Sequence, residues 1–335
     1  MHLGNGAITT ECALVTLIAA GTGVGMATWN LRRKGLTTEQ KKLAIGLSGM
    51  IFAAQAVNVS VGDMSSAHLV GGAILAMLLG SSAGIVAMSI ILAIQALLVG
   101  DGGLASLGAN IVNMALIPAL LVELSERYFA AKSPSHVAQM IRGGLVAAAA
   151  VVVVAVLIPA EVALGRSTAE LEGLTAFAQQ MLTSHLIVAV AEGTITAMVL
   201  ALVAIPQRSS ERVPGSSAVA TSSSSLLLTL AVAVAFVVAS PWGSGLPDGY
   251  EHAAEANGMA RILEESPEQL AASGTLATMA ASVQAKVLGV LQPLARSEQF
   301  WLAMTTIAAM VWMGAATLLA ASKQSQPQAE SAARS

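Results

Sequence analysis

The sequence predicts an all-α polytopic membrane protein. Of its 335 residues, 55% are hydrophobic and only 10% are charged, and the mean hydropathy is +0.74. Soluble domains carry about 25% charged residues, so a chain this poor in charge is typical of a protein embedded in a lipid bilayer. The net charge of −3 gives no indication of a nucleic-acid partner.

Nine apolar segments predict about nine transmembrane helices, seven followed by two. The segments are 7–29, 41–59, 68–80, 82–99, 104–124, 141–159, 181–205, 225–240 and 300–321. Most are long enough to cross a hydrocarbon core of about 30 Å at about 1.5 Å per residue. Segment 68–80 is too short, and we expect a tilted helix in a thinned region or a helix that begins below the surface beside a cavity.

The distribution of Lys and Arg predicts the orientation. With the N-terminus outside and nine crossings, twelve of the sixteen Lys and Arg residues fall on the cytoplasmic side, as the positive-inside rule requires. The C-terminus is then cytoplasmic. No basic stretch precedes the first apolar run, so we expect no cleaved signal peptide. The predicted location is the bacterial inner (cell) membrane.

The spacing of the segments divides the chain into two modules. Residues 1–205 contain seven spans. A serine-rich stretch, 206–224, is interpreted as a flexible cytoplasmic linker. Residues 225–321 contain two spans that bracket an outer loop, 241–298, and residues 322–335 form a cytoplasmic tail.

The first two residues, Met1 and His2, form a candidate metal chelate. The terminal amine, the peptide nitrogen of His2 and its imidazole close a five-membered and then a six-membered ring around one ion. The chelate requires that Met1 is the first residue. We expect Met1 to be retained, because its removal needs a small second residue. The alternative is that His2 is a frayed end.

His68 is a candidate for a fourth nitrogen ligand, because the predicted topology places it on the same membrane face as His2. Four nitrogens in a plane suit Ni(II) or Cu(II), and Co(II) is less favoured by that geometry. The alternative is that His68 merely starts a helix. The sequence therefore predicts a metal site at Met1, His2 and His68.

Five further polar residues are candidates for supporting the ligands or lining a pathway: Asn58, Ser65, Asn110, His185 and Glu192. His185 and Glu192 are seven residues apart and share a helix face. Ionisable groups within membrane segments are usually functional. The alternative for this pair is an internal hydrogen bond that holds helices together.

No pattern in the sequence indicates an enzyme. There is no nucleophile with an adjacent base and no ATP-binding motif. A membrane metalloprotease is disfavoured because the chain has no His-Glu-x-x-His motif.

Several of these stretches resemble the CbiM/NikM family, the substrate-capture subunits of energy-coupling-factor nickel and cobalt importers. They are Met1-His2, the segment from Asn58 to Gly72 that ends in Ser-Ala-His-Leu-Val-Gly-Gly, the run from Gly100 to Asn113, and the stretch from His185 to Thr196. In the second module, Gly-Leu-Pro-Asp-Gly-Tyr-Glu at 245–251 looks like the Pro-Asp-Gly-Leu motif of the NikN-type accessory component. The resemblance implies that the two components are fused in this chain.

The resemblance implies that the metal is bound through the terminal amine, the peptide nitrogen and imidazole of His2, and His68. It implies Ni(II) or Co(II) as the transported substrate. It also implies two kinds of partner, a transmembrane coupling subunit (T) and cytoplasmic ATPase subunits (A). The family commonly opens with Met-His-Ile-Pro-Asp-Gly, and here Asn5 replaces the acidic residue.

These observations lead to one interpretation and two alternatives. The chain is interpreted as the nickel-binding substrate-specificity subunit of an ATP-driven importer. The alternatives are cobalt uptake for cobalamin synthesis and a membrane scaffold that senses metal without moving it.

Overall fold

The computed structural model describes residues 2–61, 65–129, 135–167, 172–202 and 244–295. These residues form eleven α-helices and one antiparallel hairpin. The helices are α1 (Thr10–Lys34), α2 (Thr38–Gln55), α3 (Gly72–Leu79), α4 (Ser81–Ile94), α5 (Leu107–Ile111), α6 (Ile117–Phe129), α7 (His136–Ala163), α8 (Leu174–Leu202), α9 (Gly249–Ala256), α10 (Pro267–Ser273) and α11 (Thr275–Ala295). The strands are β1 (Val59–Val61) and β2 (Ser65–Ala67). Two π-helical turns, Gln95–Val99 and Val112–Leu116, extend α4 and join α5 to α6.

Five helices in the described part of the chain are long and apolar enough to cross a membrane. They are Thr10–Lys34, Ser81–Val99, Leu107–Phe129, His136–Ala163 and Leu174–Ala201. Each overlaps one of the nine predicted segments. The predicted segments 225–240 and 300–321, the linker 206–224 and the tail 322–335 lie outside the described residues.

Two predicted segments form helices that do not meet the length or composition of a span. Segment 41–59 corresponds to α2, which carries three charged residues, Glu39, Lys41 and Lys42, in its first two turns. Segment 68–80 corresponds to α3, whose 8 residues extend only about 12 Å. The sequence-based expectation that 68–80 is too short to cross the bilayer agrees with this helix.

The fold also differs from the all-α prediction at the predicted outer loops. Within the predicted loop 58–67, residues 59–61 and 65–67 pair as antiparallel strands. The described part of the predicted loop 241–298 is residues 244–295, and it is folded. We call it the docked segment. It contains α9, a short 3₁₀ turn at Ala260–Leu263, α10 and α11. The protein is therefore mostly helical.

The docked segment packs against the first module. Tyr250 of α9 is fully buried, and its ring lies 6.1 Å, centroid to centroid, from that of Phe177 in α8. Leu3, near the chain's start, and Ile262 of the docked segment belong to one buried apolar cluster with the helices of the first module. Burial of such side chains is the main stabilising contribution to this arrangement.

The start of α3 is packed too closely for any side chain larger than hydrogen. A Cβ atom at Gly72 would overlap the carbonyl oxygen of Met114, whereas Gly25, on the exposed face of α1, has open space around it. We expect Gly72→Ala to destabilise the protein by about 1–3 kcal/mol and Gly25→Ala to be neutral or slightly stabilising. Thermal unfolding of the two variants in detergent measures the difference. Equal midpoints would contradict the close contact.

Candidate metal site

The chain's first residues are held by a glycine-rich turn that precedes α5. Asn110 makes two hydrogen bonds with the backbone of Leu3: its Oδ1 accepts from the Leu3 N–H (2.9 Å) and its Nδ2 donates to the Leu3 carbonyl (3.1 Å). The Gly103 N–H donates to the same carbonyl at 2.9 Å. Both the N–H and the carbonyl of Leu3, the residue directly after His2, are therefore held by hydrogen bonds. Asn110 supports the candidate ligand through Leu3.

Two glycines of this turn allow the close approach. A Cβ at Gly103 would lie 2.6 Å from the Gly4 carbonyl carbon and 2.7 Å from the Asn5 Cα. Gly102 has a φ of 85°, which disfavours residues with a side chain, and a Cβ there would lie 3.3 Å from the His2 Cβ. The glycine-rich turn therefore packs directly against the start of the chain. We call residues 2–9 the N-terminal segment.

The structure brings His2 and His68 together. Their imidazole rings are stacked with centroids 5.3 Å apart and planes inclined by 16°. His68 Nδ1 lies 3.0 Å from the carbonyl oxygen of Leu69, which can only accept, so Nδ1 carries the proton. The lone pair of His68 is then on Nε2. A histidine whose tautomer is fixed by a backbone carbonyl is a common form of metal ligand.

His2 is held by a carboxylate that sequence reasoning did not single out. Its Nδ1 lies 3.1 Å from Oδ1 of Asp101, and its Nε2 is buried without a hydrogen-bond partner. The predicted six-membered chelate ring runs from the His2 peptide nitrogen to Nδ1. Asp101 therefore contacts the same nitrogen of His2 that would bind the metal in the chelate. The Gly-Asp-Gly-Gly pattern marks a turn, but nothing in it indicates that the aspartate faces residue 2.

The charges around the two histidines are coupled. Burial, with the charge of the amino terminus and that of a protonated His2, lowers the pKa of His68 to about 4, so the His68 imidazole is neutral at pH 7. Burial alone would raise the pKa of Asp101, but the hydrogen bond and charge of His2 lower it to about 2. Asp248 of the docked segment also has a pKa below its usual range: burial would raise it, but the charge and hydrogen bond of the amino terminus, the N–H of Glu251 and the charge of His68 together outweigh burial.

Glu192 in α8 fixes the loop that carries His68, which we define as residues 68–71. Its two carboxylate oxygens accept hydrogen bonds from the N–H groups of Val70 (2.9 Å) and Gly71 (2.8 Å). Gln55 donates to the Val70 carbonyl at 2.7 Å. Glu192 is buried, and it holds the backbone beginning two residues after His68.

His185, a predicted supporting or pathway residue, contacts its own helix and the docked segment. Its Nδ1 donates to the Met181 carbonyl one turn earlier at 2.7 Å, and its Cε1 would lie 2.9 Å from a Cβ at Gly249. His185 thus packs under the first turn of α9. The predicted alternative of a hydrogen bond between His185 and Glu192 is wrong, because their hydrogen bonds go to different partners.

Asn58 and Ser65 belong to the hairpin and its junction with the docked segment. Ser65 Oγ donates to the Val61 carbonyl at 3.0 Å across the hairpin. The Asn58 carbonyl accepts from the N–H of Ser244 at 2.7 Å, while Asn58 Oδ1 is buried without a hydrogen-bond partner. Next to Ser65, the N–H of Ser66 donates to the Pro247 carbonyl at 2.8 Å. The hairpin therefore links the His68 loop to the docked segment.

The docked segment also contacts the N-terminal segment directly. The Gly6 carbonyl accepts hydrogen bonds from Gln269 Nε2 (2.9 Å) and Ser273 Oγ (2.9 Å). Arg166, just after α7, donates to the Ala7 carbonyl at 2.9 Å. The residues that follow His2 thus lie between the end of α7 and the docked segment.

Side chains alone do not form a metal site in the described part of the chain. No group of three or more His, Cys, Asp or Glu side chains that could hold a metal ion occurs there. A site at His2 and His68 therefore needs main-chain nitrogens as well. Met1, the source of the predicted amine ligand, lies outside the described residues.

Comparison with known proteins identifies the family. Residues 2–212 match the CbiM family, described as the cobalt uptake substrate-specific transmembrane region. The chain is 31% identical over 276 residues, 81% of its length and 83% of the relative's, to a putative fused nickel transport protein NikMN of Archaeoglobus fulgidus. It is 31% identical over 117 residues, 35% of its length and 33% of the relative's, to the fused nickel transport protein NikMN of Rhodobacter capsulatus.

A crystal structure of a truncated transition metal transporter is similar over 60% of this chain and 97% of that one, with 26% sequence identity and a TM-score of 0.51. The relatives and the structural neighbour are metal transporters and not enzymes. Together with the helices long enough to span a membrane, these matches show that the chain is a membrane protein belonging to the CbiM/NikM family of nickel and cobalt transport proteins.

Proposed function

We propose that this chain captures Ni(II) through four nitrogens: the amine of Met1, the peptide nitrogen and Nδ1 of His2, and Nε2 of His68. The observation that carries the proposal is the stacking of His2 on His68 with ring centroids 5.3 Å apart. Only two side chains are required, which agrees with the lack of a larger cluster of ligand side chains among the described residues. The proposal takes Met1 as the first residue of the mature protein.

Metal binding requires a change at His2. Its Nδ1 must leave Asp101, which lies 3.1 Å away, before that nitrogen binds the ion. The Nδ1 proton then moves to Nε2, which is buried without a hydrogen-bond partner, while the His2 peptide N–H and the Met1 ammonium each release one proton to solvent. Asp101 and Asp248 stay near the site as negative charges that compensate the divalent ion.

Nickel is favoured over cobalt by the ligand set, because four nitrogens in a plane suit Ni(II) better than Co(II). The fused relatives from Archaeoglobus fulgidus and Rhodobacter capsulatus are both described as nickel transport proteins. Cobalt is the second candidate, because the matching family is described by cobalt uptake. Calorimetric titration of the purified protein with each ion decides between them, and tighter binding of Co(II) would reverse the assignment.

The chain is further proposed to be the substrate-specificity subunit of an ATP-driven energy-coupling-factor importer in the cell membrane. Its sequence contains no ATP-binding motif, so energy for transport comes from cytoplasmic ATPase subunits through a transmembrane coupling subunit.

Uptake of radioactive nickel tests the transport proposal. Cells without their own nickel importer are given this chain alone, or this chain with the coupling and ATPase subunits. We expect accumulation only with all subunits, and its loss in His68→Ala. Nickel binding without any uptake in the complete system would instead support a sensing scaffold.

A further inference from the structure

Asn5 lies at a junction between the N-terminal segment, the glycine-rich turn and the docked segment. Its N–H and its Nδ2 both donate to Oε1 of Glu265, at 2.8 and 2.9 Å. Nδ2 also donates to Oε1 of Gln284 at 2.8 Å, and Oδ1 accepts from the N–H of Ala105 at 3.0 Å. Asn5 is 1% exposed.

This set of contacts requires a carboxamide at position 5. Both protons of Nδ2 and the oxygen Oδ1 are used, and each partner has the opposite hydrogen-bonding character. A carboxylate at position 5 would retain the bond from Ala105, but it would place an oxygen against Glu265 Oε1 with no proton between them. Asn5 is buried, whereas Glu265 is exposed, and two like charges in contact at this partly buried site repel each other.

Gln284, the second partner of Asn5, ties the same junction to the turn that faces His2. Its Nε2 donates to the carbonyls of Ala96 (3.0 Å) and Gly102 (2.9 Å), and its Oε1 also accepts from the N–H of Leu104 at 3.1 Å. Gln284 is buried. Gln284 therefore contacts both the turn and the N-terminal segment, whereas Glu265 contacts the N-terminal segment.

We infer that Glu265 is a positioning residue for metal capture that acts through Asn5. By accepting from the backbone and side chain of Asn5, Glu265 fixes the chain three residues after His2 and so holds the chelating end against His68. The second module thereby controls the shape of the capture site without touching the metal. This inference rests on the proposed function.

A charge-exchange experiment tests the pair. Asn5→Asp is expected to weaken Ni(II) binding about tenfold or more, the usual cost of losing a residue that orients a ligand. Glu265→Gln alone should change it little, because the amide oxygen still accepts both hydrogen bonds. In the double variant the new amide at position 265 donates to the new carboxylate at position 5, so part of the affinity should return, although Gln284 Oε1 still lacks the donor that Asn5 Nδ2 supplies. Asn5→Asp with Glu264→Gln is the matched control, since it removes the same charge one residue away.

Amide hydrogen exchange over residues 2–8 provides a readout independent of metal. Exchange should be faster in Asn5→Asp than in the wild type. It should be slow again in the double variant with Glu265→Gln and stay fast in the double variant with Glu264→Gln. If Asn5→Asp fails to fold, Glu265→Ala, which removes both accepted bonds, should speed the same exchange and weaken binding. Equal rescue by both glutamine variants, or rescue by neither, would overturn the inference. Absence of nickel binding in the wild-type protein would overturn the proposed function, and exchange would still decide whether Glu265 positions the segment.

Discussion

Moving the terminal amine away from His2 is expected to abolish high-affinity Ni(II) binding. Adding three residues before Met1 removes one ligand and opens the five-membered ring. His68→Ala removes another nitrogen from the stacked pair, whose centroids lie 5.3 Å apart. Because losing an outer-shell partner already costs about 10- to 100-fold in metal affinity, each change should cost at least as much. Calorimetric titration of the purified variants measures the loss.

The design of this experiment follows from the chelate. A single added residue is unsuitable, because it would supply a second peptide nitrogen and rebuild a set of four without His68. His136→Ala is the matched histidine control, since His136 is exposed at the start of α7 and should leave the affinity unchanged. Mass spectrometry of the wild-type protein verifies that Met1 is present. Unchanged binding in the extended protein would refute the participation of the amine.

Removing the carboxylate of Glu192 is expected to have the second-largest effect. Glu192 accepts the N–H groups of Val70 and Gly71 at 2.9 and 2.8 Å, and no other residue replaces it in Glu192→Ala. Two buried N–H groups are then unsatisfied at a cost of about 1–3 kcal/mol each. The His68 loop should shift, and Ni(II) affinity should fall about tenfold or more. Glu192→Gln keeps one acceptor, so its Ni(II) affinity should lie between those of the wild type and Glu192→Ala.

Thr194→Ala is the matched control for Glu192, because Thr194 is exposed on the same helix and bonds only the Val190 carbonyl of its own helix, at 2.7 Å. Its affinity for Ni(II) should equal that of the wild type. Titration of the three variants, each verified as monodisperse in detergent, gives the comparison. If Glu192→Ala bound nickel as tightly as Thr194→Ala, Glu192 would have no part in positioning His68.

The proximity of the two histidines could be predicted from the sequence, because it follows from the predicted membrane topology. Counting predicted crossings puts His2 and His68 on one side of the membrane, which stays a prediction, and the structure places their rings in contact. Their partners could not be predicted in the same way. Asp101 and Glu192 meet the site through contacts between distant parts of the chain. Such contacts depend on how helices pack, and hydropathy contains no information on that.

The contacts of the docked segment could not be predicted from hydropathy either. Its charges and its position between two apolar stretches predict an outer loop, but they do not reveal its partners. Tyr250 is buried in the fold, with its ring beside that of Phe177. The resemblance to the family singles out Asn5 as a replacement for an acidic residue, but it gives no partner for the amide. Only the fold identifies that partner as Glu265.

Spectroscopy of the nickel-loaded full-length protein tests the central claim most directly. X-ray absorption and magnetic measurements report the number, identity and arrangement of the ligands. Four nitrogens in a plane predict a yellow, diamagnetic, square-planar Ni(II) complex with imidazole scattering from two histidines, reduced to one histidine in His68→Ala. A six-coordinate, paramagnetic Ni(II) ion, or a spectrum unaffected by His68→Ala, would contradict the four-nitrogen site.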